Sequence, residues 1–100
     1  MTPVPMTLVT IIAEQVLREP LTADLRRLGA RGYSIGEVEG EGTRGLHTQD
    51  WQGKNLRIET VVPAEVAAAI LAHLAARYFD DYAMIAYTST VAVLRSGKFA

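Results

Sequence analysis

Gly40 to Gly45, "GEGTRG", is where the chain concentrates groups able to hold an anion. Backbone amides flanked by Gly40, Gly42 and Gly45 can turn toward one anionic group, and Thr43 and Arg44 add a hydroxyl and a guanidinium. The same string also reads as a hairpin tip, and it does not stand between a strand and a helix as a phosphate-binding Walker loop does. Its length argues for more than a turn. Hairpin loops usually have about 2–5 residues, whereas the polar run here extends from Glu41 to Gln52, a length more typical of functional loops.

Other candidates are sparser. Arg57 and Glu59 fall on one face of an alternating segment, where they either pair with each other or a neighbouring subunit, or meet a ligand. Arg95, Lys98 and Phe99 form either a solvated basic tail or two cations and a ring suited to the phosphates and base of an adenine nucleotide. Asp80 and Asp81 read as a helix-ending turn rather than a metal site, because no His or Glu stands at ligand spacing. His47 and His73 are single and expected to face solvent, and no Ser, His and Asp set has spacing that supports catalysis.

The elements that must carry these groups fit one domain of 100 residues. With glycine counted, the apolar share exceeds the ~45–50% usual for soluble domains, and the surplus is expected to be buried between subunits. No apolar run reaches the ~18 residues of a membrane helix, and Met1 to Pro5 lacks the features of a signal peptide, so a cytoplasmic location is expected. The absence of cysteine excludes disulfides, thiol nucleophiles and thiolate metal sites. A net charge of −1 leaves no bulk attraction for polyphosphates or anionic membranes, so any anion must be held by a few placed groups.

"TLVTIIAE", Thr7 to Glu14, is rich in β-branched residues and apolar on both faces, which predicts a central strand. Leu21, Leu25 and Leu28 at helical spacing predict a short helix, with Pro20 in its first turn, Gly29 and Gly32 to end it, and Asp24, Arg26, Arg27 and Arg31 toward water. "YSIGEVEG" and "KNLRIETVV" predict a long hairpin around the glycine-rich loop, with Leu56, Ile58, Thr60 and Val62 on one face of the second strand. "PAEVAAAILAHLAARYF" predicts a second helix with Val66, Ile70, Leu74 and Tyr78 in a stripe, and Met84 to Arg95 a last, largely apolar strand. The order βαββαβ predicts an α+β, ferredoxin-like domain: a four-stranded antiparallel sheet with two helices on one face. The other face is expected to be hidden by self-association, a symmetric trimer being one solution. "RGYSI" mimics an RNA-binding signature, but Tyr33 falls on the second strand rather than the third, and "NLRIETVV" has no aromatic to stack a base, so RNA binding is not expected.

From "LVTIIAEQVL" through "GARGYSI", "GEGTRG", "NLRIETVV" and "YFDDYAMIAYTSTVAVL" to the final "KF", the chain resembles the PII-like signalling proteins, in particular the SbtB and carboxysome-associated branch. Its most specific parts are Gly-x-Gly-Thr-Arg at Gly40 to Arg44 and Tyr-Phe-x-Asp-Tyr-Ala at Tyr78 to Ala83. The resemblance implies a homotrimer that binds adenine nucleotides (AMP, ADP, ATP or cyclic AMP) between subunits, with residues 41–52 acting as a switching T-loop. It places Gly40, Gly42, Thr43, Arg44 and Gly45 on ribose and phosphates. Tyr82, Ala83, Met84, Ile85 and Tyr87 would lie along the adenine, and Arg95, Lys98 and Phe99 would close from the C-terminal end. Bicarbonate would bind beside the nucleotide at Arg44 or a nearby loop amide, with Arg57 a second anion candidate, and the protein partner would be a bicarbonate transporter or a carboxysome component. The implied protein is a sensor without enzymatic activity or catalytic cofactor.

The departures from that family are specific. "DDYAM" lacks the Gly-Lys pattern with which conventional nitrogen-regulatory members grip ATP, and the loop has no tyrosine, so neither 2-oxoglutarate sensing nor uridylylation is expected. The chain ends at "GKFA" without the Cys-containing extension of some SbtB proteins, so redox control through such a tail is not expected either. A divalent-metal tolerance protein of ferredoxin-like trimeric build is the alternative, and a slow nucleotide hydrolase a third reading with no evident general base. Trp51 reads as a partner anchor, a lid, or packing at the loop base.

Overall fold

The computed structural model describes residues 2–40 and 54–94. Its elements are β1 (Val4–Glu14), a 3-10 turn (Gln15–Leu17), α1 (Arg18–Leu28), β2 (Ser34–Glu39), β3 (Lys54–Val62), α2 (Ala64–Arg77) and β4 (Ile85–Val93). The four strands form one antiparallel sheet in the order β2-β3-β1-β4. This is the ferredoxin-like fold expected from the element order. β1 is central, with β3 and β4 on either side, as its apolar residues on both faces require.

Alternation along the strands divides two unlike surfaces. Val9, Ile11 and Ala13 of β1 and Leu56, Ile58 and Val62 of β3 are buried toward the helices. Leu21 and Leu25 of α1 and Ala67, Ile70 and Leu74 of α2 close that core from above. The α1 stripe works as its i, i+4 spacing predicts, although the helix begins at Arg18 because the preceding 3-10 turn has already bent the chain away from β1. Pro20 then sits in the first turn, where its missing N–H costs nothing. α1 ends on Gly29, whose φ of 115° is in the left-handed range, with Ala30 N–H donating to Leu25 O at 2.9 Å.

Two expectations about the helix surface are corrected. Asp24 does not simply face water, and His73 is not a solvent-facing side chain. α1 and α2 lie side by side over the sheet, so Asp24 meets residues of α2 and its end. Its Oδ2 accepts from the Tyr78 hydroxyl at 2.5 Å and from His73 Nε2 at 2.9 Å. Asp24 and His73 are only 20% and 17% exposed as a result. Burial pushes the Asp24 carboxyl upward, but the hydrogen bonds from Tyr78 and His73, the His73 charge and the Arg27 hydrogen bond outweigh it, and the net position is below 3.8. Burial first, and then donation to Asp24, push the Tyr78 phenol up to about 12.

Candidate functional site

The face of the sheet away from the helices carries the candidate groups, and strand register sets them in rows. Val38, Asn55 and Glu14 form the row nearest the ends of the β2–β3 hairpin strands. Gly36, Arg57, Ile12 and Ile85 form the next, and Ser34, Glu59, Thr10 and Tyr87 the third. Side chains directly opposite in an antiparallel pair share a face and lie close enough to interact. Further along, Val61, Leu8 and Ser89 continue the surface, which turns increasingly apolar through Met6 and Val91 to Val4 and Val93.

Arg57 and Glu59 stand two residues apart on β3 and point to this face, where Arg57 Nε lies 3.9 Å from Glu59 Oε2. Both are substantially exposed, 51% and 39%, so the contact is loose and leaves the guanidinium accessible to an anion. Of the two sequence readings, mutual pairing is therefore present without occupying the arginine fully. Thr10 is buried between Glu59 and Tyr87 even though it lies on the open face.

The segment from Tyr78 to Tyr87 is built as a turn held at both ends. Asp81 and Tyr82 N–H groups donate to Tyr78 O at 3.1 and 2.9 Å, so Asp80 and Asp81 belong to the helix-ending turn expected of them. Tyr82 and Met84 pack against the core, with the Tyr82 ring 6.1 Å from that of Tyr78. Ile85 and Tyr87 are exposed on the open face, at 44% and 51%. The residues expected along an adenine thus divide between two surroundings: Tyr82 and Met84 support the segment, whereas Ile85 and Tyr87 offer apolar surface. Ala83 joins the two, because its N–H donates to Glu14 Oε2 at 3.2 Å.

Glu14 and Asn55 are not marked by any motif in the sequence. Glu14 ends β1, and its carboxylate reaches across 69 positions to fix Ala83. Asn55 lies directly opposite it on β3, 1% exposed, and its Oδ1 is buried without a hydrogen-bond partner among the described residues. A buried acceptor left in that state costs about 1–3 kcal/mol. The one available signal is an amide at the first open-face position of a strand leaving a glycine-rich loop.

Gly40 ends the described part of that loop, two residues beyond Val38. Gly42, Thr43, Arg44, Gly45, His47 and Trp51, like Arg95, Lys98 and Phe99, lie outside the described residues. A separate cleft of about 390 Å³ opens on the helix side, bounded by Arg18, Thr22, Arg26, Tyr33 and Ile35 among others. There Arg26 donates to the Tyr33 hydroxyl at 3.0 Å and lies over its ring. Among the described residues no group of three or more His, Asp or Glu is placed to hold a metal ion, and no helix is long and apolar enough to cross a membrane.

Known proteins share this architecture. Residues 6–98 match the family described as nitrogen regulatory protein P-II. A protein from Thermus thermophilus, described as PII-like and signalling, is 48% identical, with a TM-score of 0.87 and coverage of 100% of both chains. CPII from Thiomonas intermedia, solved with ADP and bicarbonate, is 25% identical, with a TM-score of 0.87 over 98% of this chain and 97% of that one. The same protein solved with ADP, AMP and acetate gives 25% identity and a TM-score of 0.85, covering 99% of this chain and 98% of that one.

Proposed function

The chain belongs to the nitrogen regulatory protein P-II family, and from that premise we propose that it is a non-enzymatic sensor of adenine nucleotide and bicarbonate. Three copies assemble through the open sheet face, and nucleotide binds between them. Residues 41–52 act as a T-loop that responds to the ligands and controls a partner in inorganic carbon uptake or in the carboxysome. The site is cytoplasmic or peripheral to a membrane transporter.

The observation that carries this reading is the convergence of separate segments at one end of the sheet. Gly40 beyond β2, the turn fixed at Ala83, and the exposed Ile85 and Tyr87 of β4 all stand toward that end, and between the two sheet edges β3 carries the Arg57 guanidinium, which its neighbour Glu59 holds only loosely. A PII-like relative of the same fold holds ADP and bicarbonate. The chemistry needed is binding rather than bond-making: amides and cations for phosphate and bicarbonate, apolar surface for the base. Ligands that interact with one loop arrangement more strongly than another shift its population, which is all a switch requires.

Calorimetric titration with AMP, ADP, ATP and cyclic AMP, each with and without bicarbonate, tests the proposal. Saturable binding near one nucleotide per chain, tightened by bicarbonate, is the expected result, and the coupling must be reciprocal. Absence of binding to all four overturns it. Arg44→Ala should weaken nucleotide binding by about 1.5–3 kcal/mol through loss of one charge-assisted contact, and an unchanged affinity removes Arg44 from the site.

A further inference from the structure

We propose that the cleft between α1 and the start of β2 is a binding site for a free acidic amino acid, with its two carboxylates on Arg18 and Arg26 and its ammonium on Glu19. That cleft lies on the helix side of the sheet, and binding there is independent of a nucleotide on the open face.

Shape is the first argument. The cleft has a volume of about 390 Å³, at the small end of the ~300–1,000 Å³ usual for small-molecule sites. Arg18, Thr22 and Arg26 follow one another at i, i+4 and i+8, so α1 presents them in one row along the cleft. Arg18 and Arg26 are about 12 Å apart along the helix axis, and their long side chains can close on one small molecule from its two ends. Tyr33 and Ile35, both half-buried, line the cleft as well and add apolar surface for the ligand's carbon chain.

Charge is the second. Among the described residues no carboxylate pairs with Arg18 or Arg26, and no cation pairs with Glu19, although all three are exposed. Arg18 opens α1, next to the positive end of the helix dipole, where a cation is disfavoured. Nothing in the helix accounts for an arginine there, whereas a bound carboxylate would offset both charges. Arg26 gives one nitrogen to the Tyr33 hydroxyl at 3.0 Å and lies over its ring, which holds the guanidinium in place and leaves its other N–H groups for a ligand. The Tyr33 hydroxyl, an acceptor toward Arg26, still has its own proton to donate to the same carboxylate. Adjacent positions on a helix do not face each other, so Glu19 stays open as an acceptor beside Arg18. The cleft thus offers two cations and one anion. Its complement is a small molecule with two anionic groups and one cationic group, which an α-amino acid with an acidic side chain supplies. A simple phosphate or carboxylate would leave Glu19 unpaired beside it.

The test titrates the ¹⁵N-labelled full chain, without nucleotide, with L-glutamate, L-aspartate, glutarate and L-glutamine, and follows backbone amide shifts by NMR. Saturable shifts centred on residues 18–26 and 33–35 are expected with at least one of the two acidic amino acids. Glutarate lacks the ammonium and glutamine lacks one carboxylate, so each should bind at least about tenfold more weakly, the factor for one lost charge-assisted contact. Arg18→Gln and Arg26→Gln should each weaken the acidic amino acid by a similar factor. Arg77→Gln, at an exposed arginine ending α2 outside the cleft, should leave it unchanged. No saturable shift with either acidic amino acid overturns the proposal, as do shifts centred on the open face. Equal weakening by Arg77→Gln would show bulk charge attraction rather than a site, and glutarate binding as tightly as both amino acids would remove the ammonium contact; either result also overturns it.

Discussion

At the scale of single residues, the Asp24–Tyr78 contact is the clearest case of a side chain whose role depends on a distant partner. Tyr78 opens the turn that positions Ala83, and its hydroxyl is held by a carboxylate 54 positions earlier. Tyr78→Phe keeps the ring packing and removes the donor, so a loss of about 1.5–3 kcal/mol is expected in urea unfolding at pH 7, as for a hydrogen bond to a charged group. The pH dependence follows from the raised phenol. Its folded-state value of about 12 lies above the ordinary 10.0, so the stability it contributes is fully present below pH 10 and is lost as pH rises toward 12. Wild-type stability should therefore fall across that window, and Tyr78→Phe should fall less. The lowered Asp24 value works in the opposite direction. It contributes stability above its ordinary 3.8 that is lost on acidification below it. Parallel alkaline limbs for wild type and variant would contradict the assignment to Tyr78.

At the scale of elements, local signals work where burial and propensity agree. β3 spans Lys54 to Val62 because Leu56, Ile58, Thr60 and Val62 alternate cleanly, and α2 buries Ile70 and Leu74 of the expected stripe, with Tyr78 continuing it past the helix end, whereas Val66 is only half-buried and the neighbouring Ala67 is buried instead. Gly29 is another such signal. Its φ of 115° is one that L side chains rarely adopt, and an added Cβ would meet Val66 Cγ2 at 3.4 Å. Gly29→Ala should therefore cost about 1–2 kcal/mol from the left-handed conformation alone. That corresponds to a fall in melting temperature of about 4–8 °C per kcal/mol for a domain of this size. An unchanged melting temperature would mean that the helix end rearranges without penalty. What stays hidden in the sequence depends on pairing between elements. Glu14 looks like the polar end of a strand, and Asn55 continues the polar alternation of Arg57 and Glu59 as an ordinary solvated face would. Only the β1–β3 register puts the two side by side, and only the course of the chain after α2 brings Ala83 to Glu14. The burial of His73 is hidden for the same reason. Helical spacing places it beside the apolar stripe but says nothing about which residue of α1 faces it. The Gly-rich loop is recognisable from composition and length, whereas no local pattern can report an unsatisfied oxygen on the strand that leaves it.

For the whole molecule, the question is why one side of the sheet has two helices and the other has none. The uncovered side is not built for water: Leu8, Ile12, Val61, Met6, Val91, Val4 and Val93 lie on it, and Ile85 and Tyr87 stand well exposed. Contiguous apolar surface of this kind marks an interaction site, and in closed symmetric assemblies each copy presents the same face. The polar rows of Glu14, Asn55, Arg57 and Glu59 occupy the end of that face nearest the loop. Association would therefore bury the apolar rows while bringing the polar rows to the edge of a cleft between subunits. The arrangement makes site and assembly interdependent, so breaking one should weaken the other. Leu8→Glu tests this, because Leu8 lies between Val61 and Ser89, in a row outside those assigned to ligand and next to that of Tyr87. A buried, unpaired carboxylate in each subunit is strongly unfavourable, so the mass by light scattering should drop from three chains to one and nucleotide affinity should fall with it. A variant that keeps its trimeric mass would place the interface elsewhere. A monomeric variant that binds ADP with unchanged affinity would show that each chain carries a complete site, and would remove the cleft between subunits from the mechanism.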